Sequence, residues 1–136
     1  MGYLVDTCVI SELARRKPDP GVSAWATRVT RLALSVITVD EIHFGLAWRP
    51  NERVRGWVEA FFQRHPVLDL TAPIARRAGE LRGALAARGM VRHQADMLIA
   101  ATAQAHQLTL VTRNTKDFEQ CGIGLLNPFT VPTDTA

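Results

Sequence analysis

Four acidic residues, Asp6, Glu41, Asp96 and Asp117, are the ones whose type and placement could do chemistry in this chain. Each stands where an apolar, strand-like run ends or a helix-like run begins. They lie far enough apart in sequence to come from four structural units. Carboxylates gathered at the carboxyl ends of parallel strands repel one another unless a cation holds them. A cluster of hard oxygens suits Mg²⁺ or Mn²⁺, and sites of this kind often cleave phosphodiesters.

The elements that must carry these acids follow from the apolar pattern. Tyr3 to Val5 is a short β-prone run that ends at Asp6, and Ile10, Leu13 and Ala14 then recur at helical spacing. Residues 17–21 hold two prolines and a glycine, which predicts a loop, followed by a short helix over 22–29 around Trp25. Leu32 to Ile37 reads as a strand apolar on both faces, as a parallel strand covered by helices should be. Thr38 is then expected to open the helix that carries Glu41, with Arg49-Pro50-Asn51 ending it. Val54, Trp57, Val58, Phe61 and Phe62 form a helical stripe that stops at His65-Pro66.

Val67 to Leu70 predicts a strand, and Thr71 and Pro73 start a helix with Ile74, Ala78, Leu81 and Leu85 on one face. Gly89 stops it. Residues 95–105 are apolar nearly all round, so that helix is expected to be central, with Asp96 at its start. Leu108 to Val111 predicts a strand, 112–117 a polar turn, and Ile123 to Leu126 a last strand. Residues 129–136 read as a loose tail. Alternating strands and helices argue for one α/β domain over 1–136 with a mainly parallel sheet. Ligands of such sheets sit outside the carboxyl ends of the strands, where all four acids can point.

Each acid also has a purely structural explanation. Thr38 to Glu41 fits a capping box, and Asn114 to Asp117 has the same spacing. Asp6 could cap the following helix, and Asp96 could complement a helix dipole. The joint pattern favours a cation. Asp6 has apolar neighbours on both sides and Asp96 opens an apolar helix, so both are expected to be partly buried, and no lysine lies near either. A buried, unpaired carboxylate costs several kcal/mol in order of magnitude.

Other chemistries find less support. His43, His65, His93 and His106 show no paired metal-ligand spacing, and no histidine stands as an obvious base for Cys8. There is no Gly-rich phosphate loop and no Asp-x-Asp pair. The aromatic residues fall on helical stripes, with Trp25 and Trp48 as candidates for a partner surface.

Size and charge set the frame. The chain has 136 residues, 47% of them hydrophobic, enough for one core. Its net charge is +3, and arginine far outnumbers lysine. That preference suits phosphate contacts and equally follows from a GC-rich genome. Neutralising the four acids would leave the surface clearly basic, which favours a polyanionic substrate. Two cysteines make no disulfide framework, the first residues do not form a signal peptide, and no apolar run approaches the ~20 residues of a membrane helix. The expectation is a soluble cytoplasmic protein.

Four motifs in order now carry a resemblance. They are Leu4-Val5-Asp6-Thr7, Ser35-x-Ile37-Thr38-x-x-Glu41-Ile42-x-x-Gly45, Asp96-x-Leu98-Ile99-Ala100-Ala101-x-Ala103 and Leu110-Val111-Thr112-Arg113-Asn114-x-x-Asp117-Phe118. Together they resemble the PIN-domain ribonucleases, in particular the VapC toxins of toxin–antitoxin pairs. Residues 6–13 and the later Pro18-x-Pro20 are similar to the FitB-like branch. The resemblance implies a three-layer α/β/α fold, a homodimer, and Mg²⁺- or Mn²⁺-dependent endoribonuclease activity. It matches Asp6, Glu41, Asp96 and Asp117 to the family's acidic quartet, and Thr7, Thr112 and Asn114 to the polar residues beside the metal. It also implies an antitoxin protein as partner, with operator DNA reached only through that antitoxin. Cys8 departs from the Asn or Ser common at its position.

The expectations for the site follow. Asp6, Glu41 and Asp96 hold one ion, and Asp117 completes the site or helps to hold a second. Thr112 or Thr7 orients the attacking water, and Arg113, Arg92 and Lys116 reach RNA phosphates. Metal-free, the clustered acids should raise at least one pKa. Two alternatives stand beside this reading: a DNA or flap nuclease of the same superfamily, and a module that binds RNA or a partner without cutting.

Overall fold

In the computed structural model, which describes residues 2–130, strands and helices alternate as the pattern predicts. Strand β1 (Tyr3–Val5) lies at the centre of a five-stranded sheet. It pairs in parallel with β2 (Leu32–Ser35) on one side and β4 (Thr109–Val111) on the other. Strand β3 (Val67–Leu68) extends the β2 edge, and β5 (Leu125–Leu126) extends the β4 edge, both parallel.

The chain therefore steps outward through β1, β2 and β3, then returns to lay β4 beside β1. That reversal opens a crevice at the carboxyl ends of β1 and β4, where α/β sheets bind their ligands.

The three layers follow from alternation along strands only a few residues long. In β1, Leu4 faces one side of the sheet and Val5 the other; in β4, Leu110 and Val111 divide in the same way. On the Val5 side lie α1 (Thr7–Leu13), α2 (Pro20–Arg28), α3 (Val36–Trp48) and α4 (Glu52–Arg64), packing Ile10, Val22, Ile42, Val58 and Phe61. On the Leu4 side lie α5 (Ala72–Ala87) and α6 (Gln94–Ala105). There Ile74, Ala78, Leu81 and Leu85 of α5 meet Met97, Ala100 and Ala101 of α6. The small residues of α6 allow the two helices to approach closely. Each fully buried leucine adds about 1.5–3 kcal/mol relative to exposure.

Some expectations change. The apolar run 32–37 is not all strand: β2 stops at Ser35, and α3 begins at Val36. Ser35 is extended, and its Oγ accepts the Ile37 N–H at 3.0 Å, so it caps α3. The capping box expected from Thr38 to Glu41 is therefore not formed. An apolar run alone does not separate a buried strand from the first turn of a buried helix. Trp25 is also not a partner surface: it is buried and packs edge-on against Tyr3 at 5.6 Å.

On α4 Val58 and Phe61 are buried, with Val54, Trp57 and Phe62 partly so, and on α5 Leu81 and Leu85 are in the core. Phe129 packs against that core, and Thr130 donates both its N–H and its hydroxyl to Asp19. The rest of the expected loose tail, 131–136, lies outside the described residues. Among the described residues no helix is long and apolar enough to cross a membrane.

Candidate active site

Asp6 sits one residue past β1, where its backbone N–H still donates to Val111 of β4, and it caps α1. It is only 7% exposed. Its Oδ1 accepts the Thr7 N–H at 2.8 Å, and its Oδ2 accepts the Thr112 hydroxyl at 2.7 Å. Both oxygens are thus oriented by neutral donors, with lone pairs to spare.

Glu41 reaches the same place from α3. Thr7 donates its hydroxyl to Glu41 Oε1 at 2.5 Å, and the Thr7 oxygen lies 3.1 Å from the hydroxyl of fully buried Thr38. Thr7 and Thr38 therefore tie α1 to α3 directly beneath the carboxylate.

Asp96 stands in the first turn of α6, half-buried, where the helix dipole favours a negative charge. Its pKa is nevertheless pushed up to about 6. Burial is the largest cause; the charges of Asp6 and Asp117 add to it, Glu41 adds less, and His93 opposes. This meets the expectation that clustered acids raise at least one pKa. Asp117 lies on a 3-10 turn, Thr115–Phe118, with its side chain exposed. It acts on Asp96 through its charge.

Asp6, Glu41, Asp96, Thr7, Cys8 and Asn114 line one open pocket of about 550 Å³ together with Asp40 and Phe44. A second cavity, of about 290 Å³, lies at the amino ends of β1 and β2 beside Arg31, Arg64 and His65, and holds none of the acids. Among the described residues the ion pairs are Arg15–Glu12 and Arg55–Glu52, so no arginine or lysine neutralises the cluster.

The donors are hard oxygens, which fit a divalent cation such as Mg²⁺. Among the described residues no three His, Cys, Asp or Glu side chains close into a ready-made cage. An open set of this kind suits an ion that keeps several of its waters.

The surroundings of Cys8 disfavour the thiolate that a nucleophile needs. Its thiol is pushed up by burial and then by the charge of Asp6. It lies 3.7 Å from both Asp6 Oδ2 and Thr112 Oγ1, while its sulfur accepts the Arg113 N–H at 3.4 Å.

The other residues expected at the site make the following contacts. Thr112 is fully buried, donates its hydroxyl to Asp6 and accepts the Asn114 N–H at 3.1 Å, so it orients the Asp6 carboxylate. Thr7 likewise spends its proton on Glu41. The Arg113 guanidinium lies over the Phe129 ring, 4.5 Å from its centroid. Arg92 donates to the Lys116 carbonyl at 2.8 Å, which pins the turn bearing Asp117. Lys116 remains an exposed cation. Asn114 lines the pocket through an exposed side chain.

Thr38, Asp40 and Phe44 went unrecognised as site residues in the sequence. Thr38 was readable, because Thr38, Ile42 and Leu46 recur every four residues on the buried face of α3. Phe44 stands three residues past Glu41, one helical turn along the same face. Nothing in the sequence marks Asp40.

Comparison with known proteins places the chain in a family. The family model of the PIN domain matches residues 3–123. The chain is 39% identical over 137 residues to VapC ribonuclease Y4jK of Sinorhizobium fredii, covering 93% of this chain and 96% of that one. It is 33% identical over 136 residues to Toxin FitB of Neisseria gonorrhoeae, covering 93% and 97%. Among solved structures, FitAcB from Neisseria gonorrhoeae superposes with a TM-score of 0.82 at 32% identity, covering 95% of this chain and 99% of that one. VapBC2 from Rickettsia felis, bound to a DNA fragment from its promoter, superposes with a TM-score of 0.81 at 26% identity, covering 93% and 98%.

Proposed function

The chain belongs to the PIN domain family, and from that premise we propose that it is the ribonuclease toxin of a toxin–antitoxin pair, hydrolysing phosphodiester bonds in RNA. The observation that carries the reading is the convergence of Asp6, Glu41 and Asp96 in one pocket without a cationic partner, with the charge of Asp117 felt at Asp96.

Asp6, Glu41 and Asp96 would hold a divalent cation, Mg²⁺ or Mn²⁺, and Asp117 would complete the site or help to hold a second. Such a cation, when bound, lowers the pKa of water and neutralises charge gathering on the phosphate. The chain's own residues prepare for this. Thr7 and Thr112 lock Glu41 and Asp6 in place, so little reorganisation remains when substrate arrives. Asp96 must give up its proton to act as a ligand, so cation affinity rises as pH passes about 6.

The partner is an antitoxin protein. An apolar groove between α1, α3 and α4, lined by Ile10, Ile42, Leu46, Val54 and Val58, opens at Thr7 and Glu41. It suits an amphipathic antitoxin segment that ends at the acids. Operator DNA would be reached through that partner, and a pair acting on RNA would work in the cytoplasm.

The test is cleavage of matched RNA and DNA oligonucleotides in Mg²⁺ and in EDTA, beside Asp96→Asn. Metal-dependent cleavage of RNA alone, lost in the variant, is expected. Cleavage of DNA in preference to RNA, or full activity in Asp96→Asn, would overturn the assignment.

A further inference from the structure

Two large aromatic side chains stand in solvent beside the acids. Phe44 is 65% exposed and Trp48 is 68% exposed, where most other large apolar side chains of the described residues are covered. Both belong to α3, the helix that carries Glu41. Positions 41, 44 and 48 fall on one face of that helix. Phe44 lines the acidic pocket and also a shallow apolar hollow that it shares with Ala47 and Trp48. The rings lie 5.8 Å apart at 48°. The guanidinium of Arg49 stands 5.1 Å from the Trp48 ring.

We propose that Phe44 and Trp48 are a stacking platform for the unpaired bases that flank the scissile phosphate, with Arg49 meeting the backbone between them. The inference rests on the ribonuclease reading and names the strand conformation that the site accepts.

Three observations select an RNA strand as occupant. The platform is continuous with the acidic pocket through Phe44. Trp48 lies seven residues beyond Glu41, about 10 Å along the helix, within reach of a base next to the cleaved bond. The cation beside the ring complements a phosphate and not an apolar helix, and aromatic faces with an adjacent arginine are how single strands are held without sequence preference. A duplex keeps its bases stacked on each other and has nothing to offer these rings.

The experiment compares wild type with Trp48→Ala, Trp48→Tyr and Trp48→Leu, none of which alters a carboxylate. Binding of labelled, unpaired oligoribonucleotides of random sequence is read by anisotropy, and cleavage of the same pool gives KM and kcat. Stacking predicts that Trp48→Ala weakens binding and raises KM by roughly tenfold or more, with kcat nearly unchanged. Trp48→Tyr should restore binding, while Trp48→Leu, apolar without a π face, should not.

Equal rescue by leucine and tyrosine would overturn the proposal, as would unchanged binding in the alanine variant. Conversion of a dimer to a monomer by Trp48→Ala, with RNA affinity intact, would make this face a contact between copies and sink the idea. Cleavage by wild type that ignores Trp48 would remove the platform and leave the ribonuclease standing. Tyrosine-rescued RNA binding by a protein that never cleaves would keep the platform and remove the ribonuclease.

Discussion

At the scale of single residues, the carboxylates matter less by their identity than by what holds them. Thr7 contributes its N–H to Asp6 and its hydroxyl to Glu41, so one small residue orients two of the four acids. Replacing it by valine keeps the shape and the backbone donor and removes the hydroxyl. Thr7→Val is expected to lower Mg²⁺ affinity or cleavage rate by about 10–100-fold, with the fold retained. A Mg²⁺ titration of cleavage checks this; a curve that overlays wild type would show that Glu41 needs no such support. Asp6, Glu41 and Asp96 were legible as site candidates because an acid at the edge of an apolar run is costly without a partner. The roles of Thr112, Arg113 and Arg92 were not legible. A hydroxyl or guanidinium beside an acid in sequence gives no sign of whether it faces the pocket, another side chain or an aromatic ring.

At the scale of elements, α3 decides the site, because it brings Glu41 in, buries Thr38 beneath it and presents Phe44 at the rim. Its start is the point where sequence reading went astray. With Ser35 as the cap, Ser35→Ala should cost about 1 kcal/mol, and the melting temperature should fall by roughly 4 °C. Cleavage should fall with it, since the helix carrying Glu41 loosens at its first turn. Thr38→Ala is the informative companion when tested for cap loss. If both variants were equal in stability and Ser35→Ala matched wild type, the helix would start elsewhere. The buried faces of α5 and α6 needed no such arbitration. Long runs with a clear period of 3.6 announce their own helices, whereas the three-residue strands β1 and β4 are recognised only through the pairing that completes them.

For the whole molecule, the acidic pocket gathers like charges that a bound cation would relieve. The folded pKa of Asp96, about 6, lies above the value of an unfolded aspartate, near 3.8. Between those values the folded state binds more protons than the unfolded chain, so this group lowers stability as pH rises. Metal-free protein should therefore be more stable near pH 5 than at pH 7, as far as this group is concerned. Millimolar Mg²⁺ should raise the melting temperature at pH 7 by mass action and do little at pH 5, where Asp96 holds its proton. Thermal melts at the two pH values, with and without Mg²⁺, test both statements. A metal-free melting temperature that climbs from pH 5 to 7, or a Mg²⁺ shift larger at pH 5, would contradict the account.

The sequence by itself determined the alternating α/β order, the parallel sheet and the three acids that line the pocket. Those features are local: apolar periodicity, Gly and Pro breaks, and charge set against an apolar run are all written within a dozen residues. Only the tertiary structure decided the rest. The return of β4 to the side of β1 put Thr112 behind Asp6 across 106 positions of chain. The packing of α1 on α3 spent the Thr7 hydroxyl on Glu41, and the path of residues 127–130 drew Arg113 onto Phe129. Hydrogen-bond donors are committed by whichever acceptor the fold brings near, and no local pattern encodes that distance.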